Sequence, residues 1–137
     1  MSGPVKPGEN QLTTVDFKIL RDTRELAQLC ELLRTHPVIM LDTEFERTRT
    51  FFPRPALLQV CAGDKIWLVD PLEITDFEPL ANLLAAPSVT KVLHSASEDT
   101  ELLHRLTGCY PAELFDTQIA VGLLGYGFSM GYRRMVQ

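Results

Sequence analysis

The sequence contains few cysteines, and their positions exclude two common kinds of site. The three cysteines stand far apart, and no two of them have the Cys-x-x-Cys spacing. An odd number of scattered cysteines favours neither a disulfide framework nor a zinc site. We therefore expect unpaired thiols and a cytoplasmic, reducing environment.

Long hydrophobic runs are also missing. No apolar run approaches the roughly 18 residues that a membrane span requires. The first eleven residues, MSGPVKPGENQ, lack the apolar stretch of a signal peptide. The sequence predicts no membrane partner, and we expect a flexible tail over residues 1–11 followed by one compact domain over residues 12–137.

An excess of basic residues is the third absence. There are 13 Lys and Arg against 18 Asp and Glu, which gives a formal net charge of -5. Proteins that hold nucleic acid mainly by neutralising phosphates are usually basic. The acidic balance does not exclude a nucleic-acid enzyme, however, because carboxylates clustered around divalent metal ions lower the net charge while the ions supply a positive field.

Helix and strand signals alternate along the chain. Capping-box spacings, apolar runs of strand length and a two-residue hairpin signal, Gly63-Asp64, predict one α/β domain. Its mixed sheet should contain an antiparallel hairpin and parallel strands, flanked by helices. The predicted strands are 38–41, 56–62, 65–69, 89–93 and 114–115. Helices are predicted over about 23–34, 119–124 and 129–136. Two further helices are predicted, one that Asp76 caps and one that the capping box Ser95 to Glu98 opens and that ends before Gly108.

Two carboxylates, Asp42 and Glu44, follow the first predicted strand. If the strand continues through them, their side chains leave the same face of the sheet. Their repulsion would raise the pKa of one of them unless a cation lay between them, and oxygen ligands favour hard ions such as Mg²⁺ or Mn²⁺. The spacing favours a metal site, although Asp-x-Glu at a strand end is by itself also typical of a solvated surface or a turn cap.

A third carboxylate, Asp99, supports the metal interpretation. It falls in the first turn of the helix predicted to open at Ser95, and leucines follow it at i+3, i+4 and i+7. Asp99 should therefore lie on the stripe that the helix turns toward the sheet, where a charge must be paired or bound to metal. Glu98 and Glu101 point elsewhere, and we assign the capping role to Glu98.

Three segments resemble a known family. Asp42-Thr-Glu-Phe-Glu-Arg47, with the Thr-Arg-Thr-Phe-Phe-Pro that follows it, looks like the first exonuclease motif of ribonuclease D. His94-Ser-Ala-Ser-Glu-Asp99 looks like the second motif, and Phe115-Asp-Thr-Gln-Ile119 is similar to the segment that comes next. From about Asp22 to the C-terminus, the elements follow the family order. The chain thus resembles a ribonuclease D-like 3'-5' exonuclease of the DEDD superfamily.

The resemblance implies a ribonuclease H-like fold and a two-metal enzyme that hydrolyses terminal phosphodiester bonds of RNA, in 3'-end trimming or tRNA maturation. Of the family's four acidic ligands, three carry over onto Asp42, Glu44 and Asp99, with Mg²⁺ or Mn²⁺ as the ions. The fourth lies in a Tyr-x-x-x-Asp motif that no tyrosine of this sequence begins. We therefore expect the N-terminal portion of an exonuclease domain, with one sheet face partly uncovered and open to self-association.

Four residues near the motifs are candidates for contact with a single-stranded RNA 3' end. Arg47 and Arg49 could contact phosphate, and Phe45 could pack against a terminal base or sugar. The same residue types are also common as solvated loop arginines and as a core phenylalanine. His94 should lie at the edge of the site, but hydroxide generated by metal would remove the need for a histidine base.

Two functions remain open from the sequence. The first is an RNA 3'-exonuclease, and the second is a non-catalytic module of the same fold that binds nucleic acid or a protein, which the missing motif favours. The ordered pair of motifs argues against an unrelated metal-dependent hydrolase. No motif reads base edges, so a transfer RNA precursor, another RNA and DNA all remain candidate substrates.

Overall fold

The computed structural model describes residues 15–47 and 51–137. The predicted tail over residues 1–11 and the candidate Arg49 lie outside them. In chain order, the described elements are β1 (Phe17–Leu20), α1 (Thr23–Leu33), β2 (Val38–Glu46), β3 (Arg54–Ala62), β4 (Lys65–Val69), α2 (Glu78–Ala85), β5 (Thr90–Leu93), α3 (Ser97–Thr107), β6 (Leu114–Asp116), α4 (Thr117–Leu123) and α5 (Tyr132–Met135).

Six strands of the described chain form one sheet in the order β1-β4-β3-β2-β5-β6. β3 runs antiparallel to β2 and β4, and the other neighbouring strands are parallel. Gly63, with a φ of 61°, closes the predicted hairpin, in which Ala62 pairs with Lys65. The mixed α/β sheet with one antiparallel hairpin is therefore confirmed. No helix of the described chain is long and apolar enough to cross a membrane.

The first helix begins where its capping spacing predicts. Asp22 Oδ1 accepts a hydrogen bond from the backbone N–H of Glu25 at 2.8 Å. Glu25 in turn accepts one from the backbone N–H of Arg21 at 3.2 Å. These bonds satisfy donors that a helix start leaves unpaired.

One face of the sheet, which we call the covered face, carries the hydrophobic core. It includes Ile39, Leu41 and Thr43 of β2, all of which are buried. Each fully buried leucine or isoleucine contributes about 1.5–3 kcal/mol through removal of apolar surface from water. The buried leucines that α1, α2 and α3 contribute are Leu26, Leu29, Leu33, Leu80, Leu83, Leu84, Leu102 and Leu103.

The opposite face, which we call the open face, is less protected. It carries Val38, Met40, Asp42 and Glu44 of β2, and Val38 and Met40 are 46% and 45% exposed. The continuous apolar run over residues 38–41 is typical of a strand buried on both faces, but the structure leaves Val38 and Met40 nearly half exposed on the open face.

The start of α3 differs from its prediction. The Ser95 to Glu98 capping box does not form, because the helix begins at Ser97 and its N-cap is Ala96, which makes no side-chain cap. Ser95 has a φ of 57°. The backbone N–H groups of Ser95 and Ala96 donate to Asp116 at 3.0 and 2.8 Å. A carboxylate from β6 thus replaces the local cap.

Other differences concern weaker signals. β1 was not predicted, because three of its four residues are exposed and show no core-facing period. The predicted helix over 129–136 is reduced to the single turn α5. Asp76 acts one residue before the N-cap of α2, accepting a hydrogen bond from the backbone N–H of Glu78 at 2.9 Å.

Candidate active site

Two of the candidate carboxylates lie on the part of β2 that extends beyond its pairing with the parallel strand β5. β5 pairs with β2 only between residues 38 and 40, whereas β2 continues to Glu46. The chain then leaves β5 for α3. Crevices at the carboxyl ends of parallel strands, where connections diverge, commonly bind ligands in α/β proteins. Asp42 and Glu44 stand on this free continuation of β2.

Asp42 and Glu44 share the open face of β2. The strand runs through both residues, and both are exposed while the intervening Thr43 is buried. The predicted shared face is confirmed. Next to Glu44, the register with β3 shifts from Glu44 opposite Leu57 to Phe45 opposite Pro55. Such a bulge bends a strand and redirects side chains, and a proline within a strand is its sequence signal.

Asp99 reaches the same stretch of β2 from α3. It is 8% exposed, and its Oδ1 accepts hydrogen bonds from the backbone N–H and the hydroxyl of Thr43 at 3.1 and 2.5 Å. The predicted sheet-facing position of Asp99 is confirmed. Thr43 is a site residue that sequence reasoning missed, and its only signal was its place between the two acidic residues.

The three carboxylates interact electrostatically. Desolvation raises the pKa of Asp42, and the negative charges of Asp99 and Glu44 raise it further. A backbone hydrogen bond at Thr43 opposes only part of this rise. A cation near Asp42 would relieve the repulsion, because an opposite charge favours the ionised carboxylate.

The donor chemistry of this site fits a hard divalent cation, since all three side chains offer carboxylate oxygens. The geometry is less complete. Across residues 15–47 and 51–137, no group of three or more His, Cys, Asp or Glu side chains converges closely enough to hold a metal ion. The described side chains therefore supply ligands of the right kind without forming a finished ligand cluster.

Two of the predicted substrate contacts lie directly beyond the carboxylates. The Arg47 guanidinium is 5.9 Å from the centre of the half-buried Phe45 ring. Arg47 Nη2 also lies 3.4 Å from Glu98 Oε1. Glu98 thus pairs with an arginine, and the prediction that it caps α3 is wrong. Its negative charge holds Arg47 close to the start of α3.

His94 is held by hydrogen bonds at the end of β5. Its Nδ1 lies 2.9 Å from Thr117 Oγ1, and its Nε2 lies 2.9 Å from the Met130 carbonyl oxygen. The carbonyl can only accept, so Nε2 donates. Gln118 Nε2 donates to the same carbonyl at 3.2 Å. His94 therefore ties β5 to the segment before α5, a structural role at the border of the site.

A cavity of about 590 Å³ opens beside Asp42 on the open face. Its volume falls within the range of small-molecule sites. Most of its lining is apolar and comes from β2, β3, β5 and α5, with Asp42 and His94 among the polar groups. The cavity could thus receive an aromatic or apolar group next to the carboxylates.

Asp116 stabilises the starts of α3 and α4, next to the candidate site. Besides the start of α3, it caps α4 by accepting a hydrogen bond from the backbone N–H of Gln118 at 2.8 Å. Burial alone would raise the pKa of Asp116, but backbone hydrogen bonds, led by those from Ala96 and Ser95, hold the pKa below its usual value. Asp116 is therefore a helix cap at the border of the site.

Comparisons with known proteins give consistent matches. A family model described as 3'-5' exonuclease matches residues 17–137. Ribonuclease D of Pseudomonas paraeruginosa is 48% identical over 126 residues, which make up 92% of this chain and 34% of that protein. The chain therefore spans about a third of the length of this relative.

Two solved structures are similar as well. The crystal structure of Escherichia coli RNase D, described as an exoribonuclease involved in structured RNA processing, matches with a TM-score of 0.85 and 44% identity over 88% of this chain and 32% of that one. The catalytic core of RRP6 from Trypanosoma brucei matches with a TM-score of 0.75 and 26% identity, over 83% of this chain and 32% of that one. The described sheet and helices thus have the architecture of these two structures.

Proposed function

Because the chain belongs to the 3'-5' exonuclease family, we propose that residues 12–137 form the N-terminal portion of an exoribonuclease domain that removes nucleotides from RNA 3' ends. The observation that carries this proposal is the position of three carboxylates next to Thr43. Asp42 and Glu44 flank it, and Asp99 is hydrogen-bonded to it. Relatives named ribonuclease D support RNA as the substrate, in 3'-end trimming or tRNA maturation.

Asp42, Glu44 and Asp99 are the proposed metal ligands. Asp42 and Glu44 would hold one divalent ion, and Asp42 would also bind a second ion to which Asp99 contributes directly or through water. Carboxylate oxygens suit Mg²⁺ or Mn²⁺. When bound, such ions supply hydroxide from water and stabilise the attacking and leaving oxygens of a phosphodiester. Thr43 holds Asp99 in place by donating two hydrogen bonds to it.

Phe45, Arg47, Arg49 and His94 are the proposed substrate contacts for a single-stranded 3' end. The ion pair of Arg47 with Glu98 joins two exposed side chains. Such pairs are worth only about 0–1 kcal/mol. Arg47 can therefore exchange Glu98 for an RNA phosphate at low cost. Both ring nitrogens of His94 already have hydrogen-bond partners. Its proposed role as a substrate contact therefore depends on its position beside the cavity.

We also propose a cellular location and self-association for the protein. A reducing, cytoplasmic location is supported by the free thiols of Cys30, Cys61 and Cys109. Self-association through the open face is supported by the exposed side chains of Val38 and Met40, which form apolar surface beside the site.

Trimming of a 5'-labelled single-stranded RNA in Mn²⁺ tests the proposed activity. We expect little product from the 137-residue chain and processive or distributive 3' shortening from a protein extended through a Tyr-x-x-x-Asp segment. In the extended protein, Asp42→Ala should lower the rate by at least roughly 100-fold, because a metal ligand is lost. The control Glu31→Ala removes an exposed carboxylate from α1 and should leave the rate unchanged.

The second candidate function, a non-catalytic binding module, is favoured by the incomplete ligand cluster of the described residues. An extended protein that binds the RNA but never shortens it would support this module and refute the exonuclease. Efficient trimming by the 137-residue chain would instead refute the need for a further ligand. Circular dichroism of each variant separates loss of activity from loss of folding.

A further inference from the structure

Three side chains outside the carboxylate site form a second surface, which we call the aromatic platform: Phe51, Phe52 and Arg105. Phe51 is 89% exposed and Phe52 is 51% exposed. The two rings meet edge to face, with centroids 5.1 Å apart. The Arg105 guanidinium carbon lies 3.7 Å from the centre of the Phe52 ring. Phenylalanine is usually buried, and contiguous exposed apolar surface often marks a binding site.

The platform shares α3 with the candidate active site. Its two phenylalanines lie on the connection from β2 to β3, which follows the strand with the acidic pair, and Arg105 lies on α3. Arg47, at the start of this connection, pairs with Glu98, and Phe52, near its end, packs against Arg105. The two contacts lie on α3 seven residues apart, or about 10 Å along the helix. Arg47 and Phe52, on either side of residues 48–50, therefore both contact the helix that carries Asp99.

The described contacts orient the side chains of the platform. Glu101 Oε1 lies 3.4 Å from Arg105 Nε, one helical turn away, and this ion pair favours the position of the guanidinium over Phe52. The edge-to-face contact orients Phe51 against Phe52 and leaves most of the Phe51 ring accessible. A ring that is already oriented loses little conformational entropy when a ligand stacks on it.

The charges around the platform indicate what kind of ligand it suits. Arg47 and Arg105 are paired with Glu98 and Glu101, so their positive charges are largely compensated. Binding here should depend less on phosphate neutralisation than on the flat aromatic faces. Nucleobases of any sequence stack on such faces. This agrees with a chain whose net charge is -5.

We propose that the aromatic platform is a stacking subsite for an unpaired nucleobase located upstream of the RNA 3' end. The inference rests on the proposed function, because that function places the terminal phosphodiester at Asp42 and the preceding nucleotides beyond it. The subsite accepts single strands of any sequence. It rejects base-paired ends, whose bases cannot leave their stack to reach Phe51.

The test compares two substrates of the full-length protein that contains this chain, in Mn²⁺. A single-stranded 12-nucleotide RNA can reach the platform, whereas the p-nitrophenyl ester of a nucleoside 5'-monophosphate has only one nucleotide and cannot. Phe51→Ala should raise KM for the RNA roughly tenfold or more and leave hydrolysis of the ester unchanged. Phe51→Trp, which keeps an aromatic face, should retain the KM of the wild-type protein.

Two further variants make the result specific. Phe17→Ala removes a 56% exposed phenylalanine from β1, an edge strand that pairs with neither β2 nor β3, and should change neither reaction. Phe51→Leu keeps apolar volume without an aromatic face and should behave like Phe51→Ala. A wild-type KM for Phe51→Leu would mean that apolar volume without an aromatic face is sufficient, and would overturn the stacking subsite.

The two proposals fail in different ways. Equal KM values of Phe51→Ala and wild type for the RNA would overturn the subsite while leaving the exonuclease intact. If the wild-type protein hydrolyses neither substrate, the proposed function fails. Fluorescence anisotropy with the same labelled RNA then decides the subsite, which is supported by a roughly tenfold weaker affinity of Phe51→Ala and overturned by an unchanged one.

Discussion

The two faces of the sheet differ sharply, although β2 contributes to both. On the covered face, Ile39 and Leu41 are 0% and 4% exposed and belong to the core. On the open face, Val38 and Met40 are nearly half exposed, and the next outward positions are acidic. Because side chains alternate between the two faces along a strand, the nine residues of β2 contribute alternately to the core and to the open face that carries the acidic pair. The covered face can fix the backbone while the open face leaves Asp42 accessible.

Asp99 connects the two faces. It comes from α3, which packs on the covered face, and it accepts both hydrogen bonds that Thr43 donates. Its charge nevertheless acts on the open face, where it contributes to the raised pKa of Asp42. The candidate site is therefore an open-face pair of carboxylates supported by a covered-face carboxylate.

The contrast between the faces predicts unequal stability effects. Leu103 of α3 is fully buried, whereas Met40 is partly exposed. Leu103→Ala should lower the free energy of unfolding by about 2–5 kcal/mol, because it leaves a cavity in the core. Met40→Ala should lower it by less than about 1 kcal/mol. Urea unfolding followed by circular dichroism measures both, and equal losses would contradict the division into a covered and an open face.

The connection through Asp99 can be broken at Thr43. Thr43→Val removes the hydroxyl that donates to the buried Asp99 and should cost about 1–3 kcal/mol. The control Thr100→Val removes a hydroxyl that donates to the Ser97 carbonyl on α3, and its cost should stay below about 0.5 kcal/mol.

A double-mutant cycle isolates this contact from general packing. Thr43→Val and Asp99→Asn should show a coupling energy of about 0.5–3 kcal/mol, because both changes affect one buried hydrogen bond. Additive effects within about 0.3 kcal/mol would mean that the Thr43 hydroxyl does not support Asp99.

The Asp116 cap should make the stability of the protein depend on pH. Its folded pKa lies below the unfolded value of about 3.9, so its stabilising effect is present above about pH 4 and is lost as the pH falls through the folded pKa. Asp116→Asn should cost about 1–2 kcal/mol near neutral pH, and the two proteins should converge in more acidic solution. Unfolding free energies across this range measure the difference. A constant difference would contradict the linkage.

The smallest stability effect is expected on the open face itself. Met40→Gln should change the free energy of unfolding by less than about 0.5 kcal/mol but reduce self-association, because it interrupts exposed apolar surface. Sedimentation velocity at several concentrations measures the association. Leu72→Gln changes another exposed apolar residue away from β2 and should have no effect on it. A wild-type chain that stays monomeric would show the self-association proposal to be wrong.

Much of the architecture could be predicted from local patterns. The cap at Asp22, the turn at Gly63 and the helix end at Gly108 all depend on residues within one turn of each other, and the structure has each of them. The two-residue period of a strand predicts that Asp42 and Glu44 share one face, and the 3.6-residue period of a helix predicts that Asp99 faces the sheet; the structure has both. Their service as metal ligands stays a prediction.

The remaining features depend on contacts between distant segments. β1 carries no core-facing pattern of its own and is a strand only because β4 supplies a partner. Ser95 met the capping pattern, yet its backbone N–H donates to Asp116, 21 residues away. A local cap and a distant carboxylate compete for the same donors, and no short-range pattern reveals which one the fold brings closer.

The acidic residues, and the side of the strand or helix on which each one lies, follow from the amino-acid order alone, because side chains repeat with periods of two and 3.6 residues. The position of all three carboxylates next to Thr43 depends on the tertiary fold. The bonds that join Thr43 to Asp99 link residues 56 positions apart. Such a contact exists only once β5 has paired beside β2 and set α3 against it.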